Sequence, residues 1–105
     1  MKNNYREDGM VWFEDQVSDM ADILLNVKGI ASVYKKKKGR RWIRKVGDDG
    51  LRSALRRMSR TQIRMIEDLV FEGKTITDVQ NETGLSVTKI CSEVREMRKI
   101  LIAAM

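Results

Sequence analysis

Residues 71–101 read FEGKTITDVQNETGLSVTKICSEVREMRKIL, and the fold of the chain turns on how this run is read. It divides into a helix, a tight turn at Gly84-Leu85 and a second, longer helix. Thr75 is placed to accept from the free amides that open the first helix, with Asp78 three residues on, as in a capping box. Gly84 falls where a helix C-terminus needs a left-handed residue, a conformation glycine adopts without steric cost. Ser86 is set to cap the next helix. Along that helix Val87, Ile90, Val94, Met97 and Leu101 recur at three- and four-residue spacings and make one apolar stripe. The opposite face carries Thr88, Ser92, Arg95, Glu96 and Lys99. Such a unit buries its stripe against preceding helices and turns its polar face outward. That is the geometry of a helix-turn-helix whose second helix enters a DNA major groove.

Several pieces of this run resemble a known pattern: Glu72-Gly73-Lys74-Thr75, Val79, Gly84-Leu85-Ser86, Ile90, Val94 and the closing Arg98-Lys99-Ile100-Leu101. Without a gap, they are similar to the DNA-binding domain of LuxR/GerE-type regulators, and more loosely to region four of bacterial sigma factors. The resemblance runs from Ser59 to the end of the chain. It implies a tri-helical unit that binds DNA. Gln80 stands where that family has a small alanine, so either the two helices sit further apart or Gln80 points aside. The family's proline at the entry to the first helix has no counterpart here. Residues 1–58 carry no such resemblance and imply no effector or receiver domain.

Upstream, Ser59-Arg60-Thr61-Gln62 forms a second capping box, which starts a helix at Arg60. Ile63, Ile66, Leu69 and Val70 are its buried face, and Gly73 ends it. With the two helices of the motif it makes a three-helix core. Gly47-Asp48-Asp49-Gly50 is a turn and an N-cap. Residues 51–58 follow as a short helix, with Leu51, Leu55 and Met58 on one side and Arg52, Arg56 and Arg57 on the others.

The segment IASVYKKKKGRRWIRKV, residues 30–46, has two readings. Val33-Tyr34 and Trp42-Ile43 suit the arms of a short β-hairpin, a basic wing. Equally, Leu24, Val27, Ala31 and Tyr34 keep helical spacing, which favours helix to about Tyr34 and a loop beyond. Either way Lys35, Lys36, Lys37, Lys38, Arg40 and Arg41 must be solvated or paired with an anion. Tyr34 and Trp42 flank these cations and suit base stacking, but core packing is the better expectation for them. Between residues 10 and 27, Met10, Phe13, Val17, Met20, Leu24 and Val27 line one face of a helix. Glu14, Asp15, Asp19 and Asp22 decorate the rest as a solvated face. Residues 1–8 are polar and expected to fray. The chain closes on ILIAAM, whose apolar side chains point in several directions. They are expected in a dimer interface or against the N-terminal helix.

A chain of 105 residues supports one core. The expected architecture is all-α, a single compact helical bundle. Residues 1–50 hold the amphipathic helix and the basic segment; residues 51–105 hold the helix-turn-helix. One cysteine, Cys91, allows no intrachain disulfide, and the lack of histidine excludes a zinc site or a histidine-based triad. No P-loop, dinucleotide or nucleophile-elbow motif is present. No enzyme, cofactor or metal is expected. No signal peptide or membrane span is visible, which suits the cytoplasm of a bacterial cell, with a phage origin also open.

The net charge of +6 is unevenly spread: −3 over residues 1–30, +10 over 31–60 and −1 over 61–105. Cations facing phosphate supply most non-specific DNA affinity, so the middle segment is expected to anchor the backbone while the C-terminal helix selects sequence. The expected base contacts are Thr88, Lys89, Ser92 and Arg95, since Lys and Arg read guanine O6 and N7 and hydroxyls reach bases or phosphates. The expected phosphate contacts are Lys35, Lys36, Lys37, Lys38, Arg40, Arg41, Arg56, Arg57, Arg60, Lys74 and Lys99. Glu93 and Glu96 oppose DNA unless they accept from cytosine or pair with a cation. The partner expected is double-stranded DNA, with a homodimer and RNA polymerase as further partners to consider. The function expected is a small sequence-specific transcription regulator. The alternatives are a sigma-like adaptor on RNA polymerase and a phage DNA-packaging or replication adaptor.

Overall fold

The structure, a computed structural model, describes residues 5–27, 29–30, 34 and 41–105; for residues 5–11 and 41 it describes the backbone alone. The helices are α1 (Tyr5–Leu25), α2 (Asp49–Arg57), α3 (Arg60–Ile66), α4 (Ile76–Thr83) and α5 (Val87–Ala104). A 3-10 turn spans Arg41–Lys45, and a π-helical segment, Glu67–Phe71, extends α3. Among the described residues the protein is all-α, with no strand.

The element that organises this arrangement is α5. Its stripe of Ile90, Val94, Met97 and Leu101 is fully buried, and α1, α2, α3 and α4 all pack against it. Each such side chain contributes about 1.5–3 kcal/mol relative to an exposed one. Val87 departs from the expected stripe and is 38% exposed. It sits at the first position of α5.

Helix α1 starts five residues earlier than the periodicity predicts, so residues 5–8 are helical rather than frayed. Arg6 and Glu7 are good helix formers. Phe13, Met20 and Leu24 face the core, with Gln16 buried among them and its Oε1 without a partner among the described residues. Val17 and Val27 are only half-buried. The sixth residue of the expected face, Met10, lies outside the described side chains. Gly29, at φ +74°, follows the end of the helix.

Trp42 and Ile43 do not form a hairpin arm. A strand would send neighbouring side chains to opposite faces, whereas the 3-10 turn puts both in the core, at 0% and 3% exposure. Val33, in the other arm of the proposed hairpin, lies outside the described residues. Helix α2 begins at Asp49, capped by Asp48 accepting from the Leu51 amide at 2.8 Å. Its Gly50 lies against the end of α5: a Cβ there would stand 2.7 Å from the carbonyl oxygen of Ala104. At the C-terminus Leu101 is buried and Ile100 and Ala104 pack against the core, while Ile102 and Met105 stay exposed.

Candidate nucleic-acid interface

The local chemistry of α4, its turn and α5 follows the sequence closely. Thr75 accepts from the Asp78 amide at 3.2 Å, and the Asp78 carboxylate accepts from the Thr75 amide at 3.0 Å. Gly84 is left-handed at φ +76°. Ser86 accepts from the Lys89 amide at 3.1 Å. Val79 anchors α4 in the core, and the adjacent Gln80 is half-buried.

Thr88, Lys89, Ser92, Arg95, Glu96 and Lys99 are all exposed along the outer side of α5. They are not equally free. Lys89 Nζ lies 3.0 Å from Glu93 Oε2, and Gln62 Nε2 donates to the other oxygen of Glu93 at 2.8 Å. Lys89 and then the Gln62 bond hold the Glu93 carboxyl below its ordinary range, against the opposing effect of burial. Glu93 is thus an internal brace between α3 and α5 rather than an open negative charge. Glu96 makes no ion pair among the described residues.

The guanidinium of Arg95 sits 4.6 Å from the ring centroid of Trp12 on α1. One turn further, Arg98 Nε donates to Asp19 Oδ2 at 2.7 Å. These contacts show that α1 and α5 run in the same direction, so α1 flanks the C-terminal half of α5 and leaves Thr88 and Ser92 clear. Neither Trp12 nor Asp19 was recognisable as a partner from sequence. Trp12 falls off the apolar stripe, and Asp19 resembles its acidic neighbours Glu14, Asp15 and Asp22.

Of the expected phosphate contacts, Arg56, Arg57, Arg60 and Lys99 are exposed and make no ion pair among the described residues. Lys74 is placed differently. It binds Glu82 at 2.5 Å and approaches Asp68 at 3.5 Å, while Arg64 reaches Glu82 at 3.2 Å. This cluster ties the π segment to α4. Asp68 is buried, and its Oδ2 has no hydrogen-bond partner among the described residues. Burial first, then the neighbouring Glu82, pushes its carboxyl up to about 6. Glu82 is held down at about 2, chiefly by the bond from Lys74. The Cys91 thiol is pushed up by burial, away from reactivity.

Lys35, Lys36, Lys37, Lys38 and Arg40 lie outside the described residues, as does the side chain of Arg41. Tyr34 and Trp42 bound them. Tyr34 stacks on Phe71 at 4.6 Å, and Trp42 meets the same ring edge-on at 5.0 Å. The Tyr34 hydroxyl donates to Glu72 at 2.7 Å, and Trp42 Nε1 donates to Glu67 at 2.7 Å. Both aromatics are core residues with polar handles, as expected of them. Both handles end on the segment that leads into α4. The two carboxylates that receive them carried no signal in the sequence.

No family model matches this chain, and no curated protein or solved structure matches it. No helix among the described residues is long and apolar enough to cross a membrane.

Proposed function

We propose that this chain is a small sequence-specific DNA-binding transcription regulator, with α4 and α5 as its helix-turn-helix. The observation that carries this reading is the strip Thr88, Lys89 and Ser92 at the start of α5. Every other helix packs on α5, yet none covers that strip. Its hydroxyls reach base edges or phosphates, and Lys89, once drawn from Glu93, reaches guanine. Arg56, Arg57, Arg60 and Lys99 supply phosphate contacts. Lys35, Lys36, Lys37, Lys38, Arg40 and Arg41 supply more, from a segment whose flanking aromatics are moored on Phe71. Lys74 is a brace for Glu82 and Asp68 more than a phosphate ligand. The LuxR/GerE resemblance, a homodimer, a bacterial or phage origin and a cytoplasmic location complete the proposal.

Selection of bound sequences from a random duplex pool tests it. A recovered motif is the expected outcome. Arg95→Ala is then expected to weaken the selected site by about 1–3 kcal/mol and relax base preference. A second reading, a sigma-like adaptor docked on RNA polymerase, is favoured by the capture of Lys89 and Arg95 by internal partners. Pull-down of polymerase with no recovered motif selects it.

A further inference from the structure

The contacts from α1 to α5 bear on how the proposed reading face is used, and their consequence for binding rests on the DNA-binding reading. Trp12 is 46% exposed, so its indole is not held on Arg95 by burial. The Asp19 and Arg98 side chains are themselves 45% and 35% exposed. Trp12 gives Arg95 a flat π surface and Asp19 gives Arg98 an anionic oxygen, where a duplex would offer guanine edges and phosphate oxygens. Arg95 lies one turn beyond Ser92 on the same side of α5, and Arg98 lies one turn beyond Arg95 towards α1.

We infer that Trp12 and Asp19 act as an intramolecular competitor for the C-terminal half of the reading face, so that duplex DNA must take Arg95 from the indole and Arg98 from the carboxylate. The helix does not leave. Phe13, Met20 and Leu24 hold α1 in the core, and only the two outward side chains exchange partners. Asp15 and Asp22, exposed on the same side of α1, raise the barrier for any polyanion that approaches along it. Affinity is thereby held below what the cations alone would give. The loss falls most heavily on duplexes that offer Arg95 no guanine edge, and this sharpens selectivity.

The experiment is a duplex titration of the wild-type chain, Trp12→Ala, Asp19→Asn and the double variant, each also in an Arg95→Ala background. The probes are the selected site and an unrelated duplex, at one fixed salt. Both single changes lie on exposed side chains, and a thermal melt confirms that each variant folds. Trp12→Ala is expected to tighten binding about threefold to tenfold, more on the unrelated duplex than on the selected one, and to have no effect when Arg95 is absent. Asp19→Asn tightens binding through Arg98 and so keeps its effect in that background. If the wild type binds duplex but Trp12→Ala binds equally or more weakly, the competitor is overturned and the DNA reading stands. If no variant binds any duplex, the DNA reading fails, and the competitor falls with it.

Discussion

Asp68 is a buried acid placed where two cations and a second acid meet. Its carboxyl sits at about 6 against 3.8 for an unburied aspartate, because burial and Glu82 both disfavour its charge. The fold therefore holds the proton more tightly than the unfolded chain does. The extra stability is fully present below about pH 4 and is lost as pH rises through 6, since stability falls with pH wherever the native state binds more protons. Glu82 works in the opposite sense. Its ionised form is favoured by Lys74, so its contribution is present above 4.5 and lost as pH falls toward 2. Asp68→Asn keeps the shape, removes the repulsion and supplies a donor to Glu82. It is expected to raise stability at roughly pH 8 by about 1 kcal/mol. A tenfold change in proton affinity corresponds to about 1.4 kcal/mol, and the loss of an acceptor for Lys74 and Arg64 offsets part of the gain. The variant also flattens the pH dependence between about 4 and 6. Urea denaturation across that range checks both; a variant less stable at high pH would mean that the two cations outweigh the carboxylate pair.

At the scale of elements, what was legible in the sequence is what short-range chemistry decides. The starts of α3, α4 and α5 and the end of α4 were readable because Ser59, Thr75, Ser86 and Gly84 act on amides within a few residues of themselves. The stripe of α5 was readable because a single helix face repeats regularly. The 3-10 turn at Trp42 and the π segment were not, because each is set by a distant partner. Trp42 Nε1 bonds to Glu67, which lies 25 residues away. The polar outer side of α5 was legible, but the hold of Trp12 on Arg95 joins two helices at opposite ends of the chain. The glycines separate the two kinds of cause. At Gly84 nothing lies within 4 Å of an added Cβ, so Gly84→Ala pays only for its left-handed backbone, about 1–2 kcal/mol. At Gly50 alanine would favour the helix by about 1 kcal/mol, yet its Cβ meets the Ala104 carbonyl at 2.7 Å. Gly50→Ala is therefore expected to destabilise, with loss of amide protection in the last turn of α5, whereas Gly84→Ala leaves that turn protected. Hydrogen exchange on the two variants distinguishes them.

At the scale of the whole molecule, charge is sorted along the chain in a way that no individual contact reveals. The acidic residues of the C-terminal half are largely consumed internally. Glu67 and Glu72 receive aromatic donors, Asp68 and Glu82 receive Lys74 and Arg64, and Glu93 receives Lys89. Arg56, Arg57 and Arg60, at the junction of α2 and α3, have no such partners among the described residues and stay exposed. Gln62, two residues past Arg60, is bonded to Glu93, which brings this cationic corner alongside the middle of α5 next to the proposed groove-facing strip. On the DNA reading these three arginines meet phosphates, and each contact releases counterions whatever the base sequence. Replacing all three by alanine is expected to lower the slope of log affinity against log salt by about 2 to 3, at roughly 0.9 per lost contact. The loss of affinity should be similar on the selected site and on an unrelated duplex. Arg95→Ala should instead act mainly on the selected site and change the slope by at most about one contact's worth. Titrations at several salt concentrations measure both quantities at once. An unchanged slope in the triple variant would move the phosphate grip to other cations of the chain.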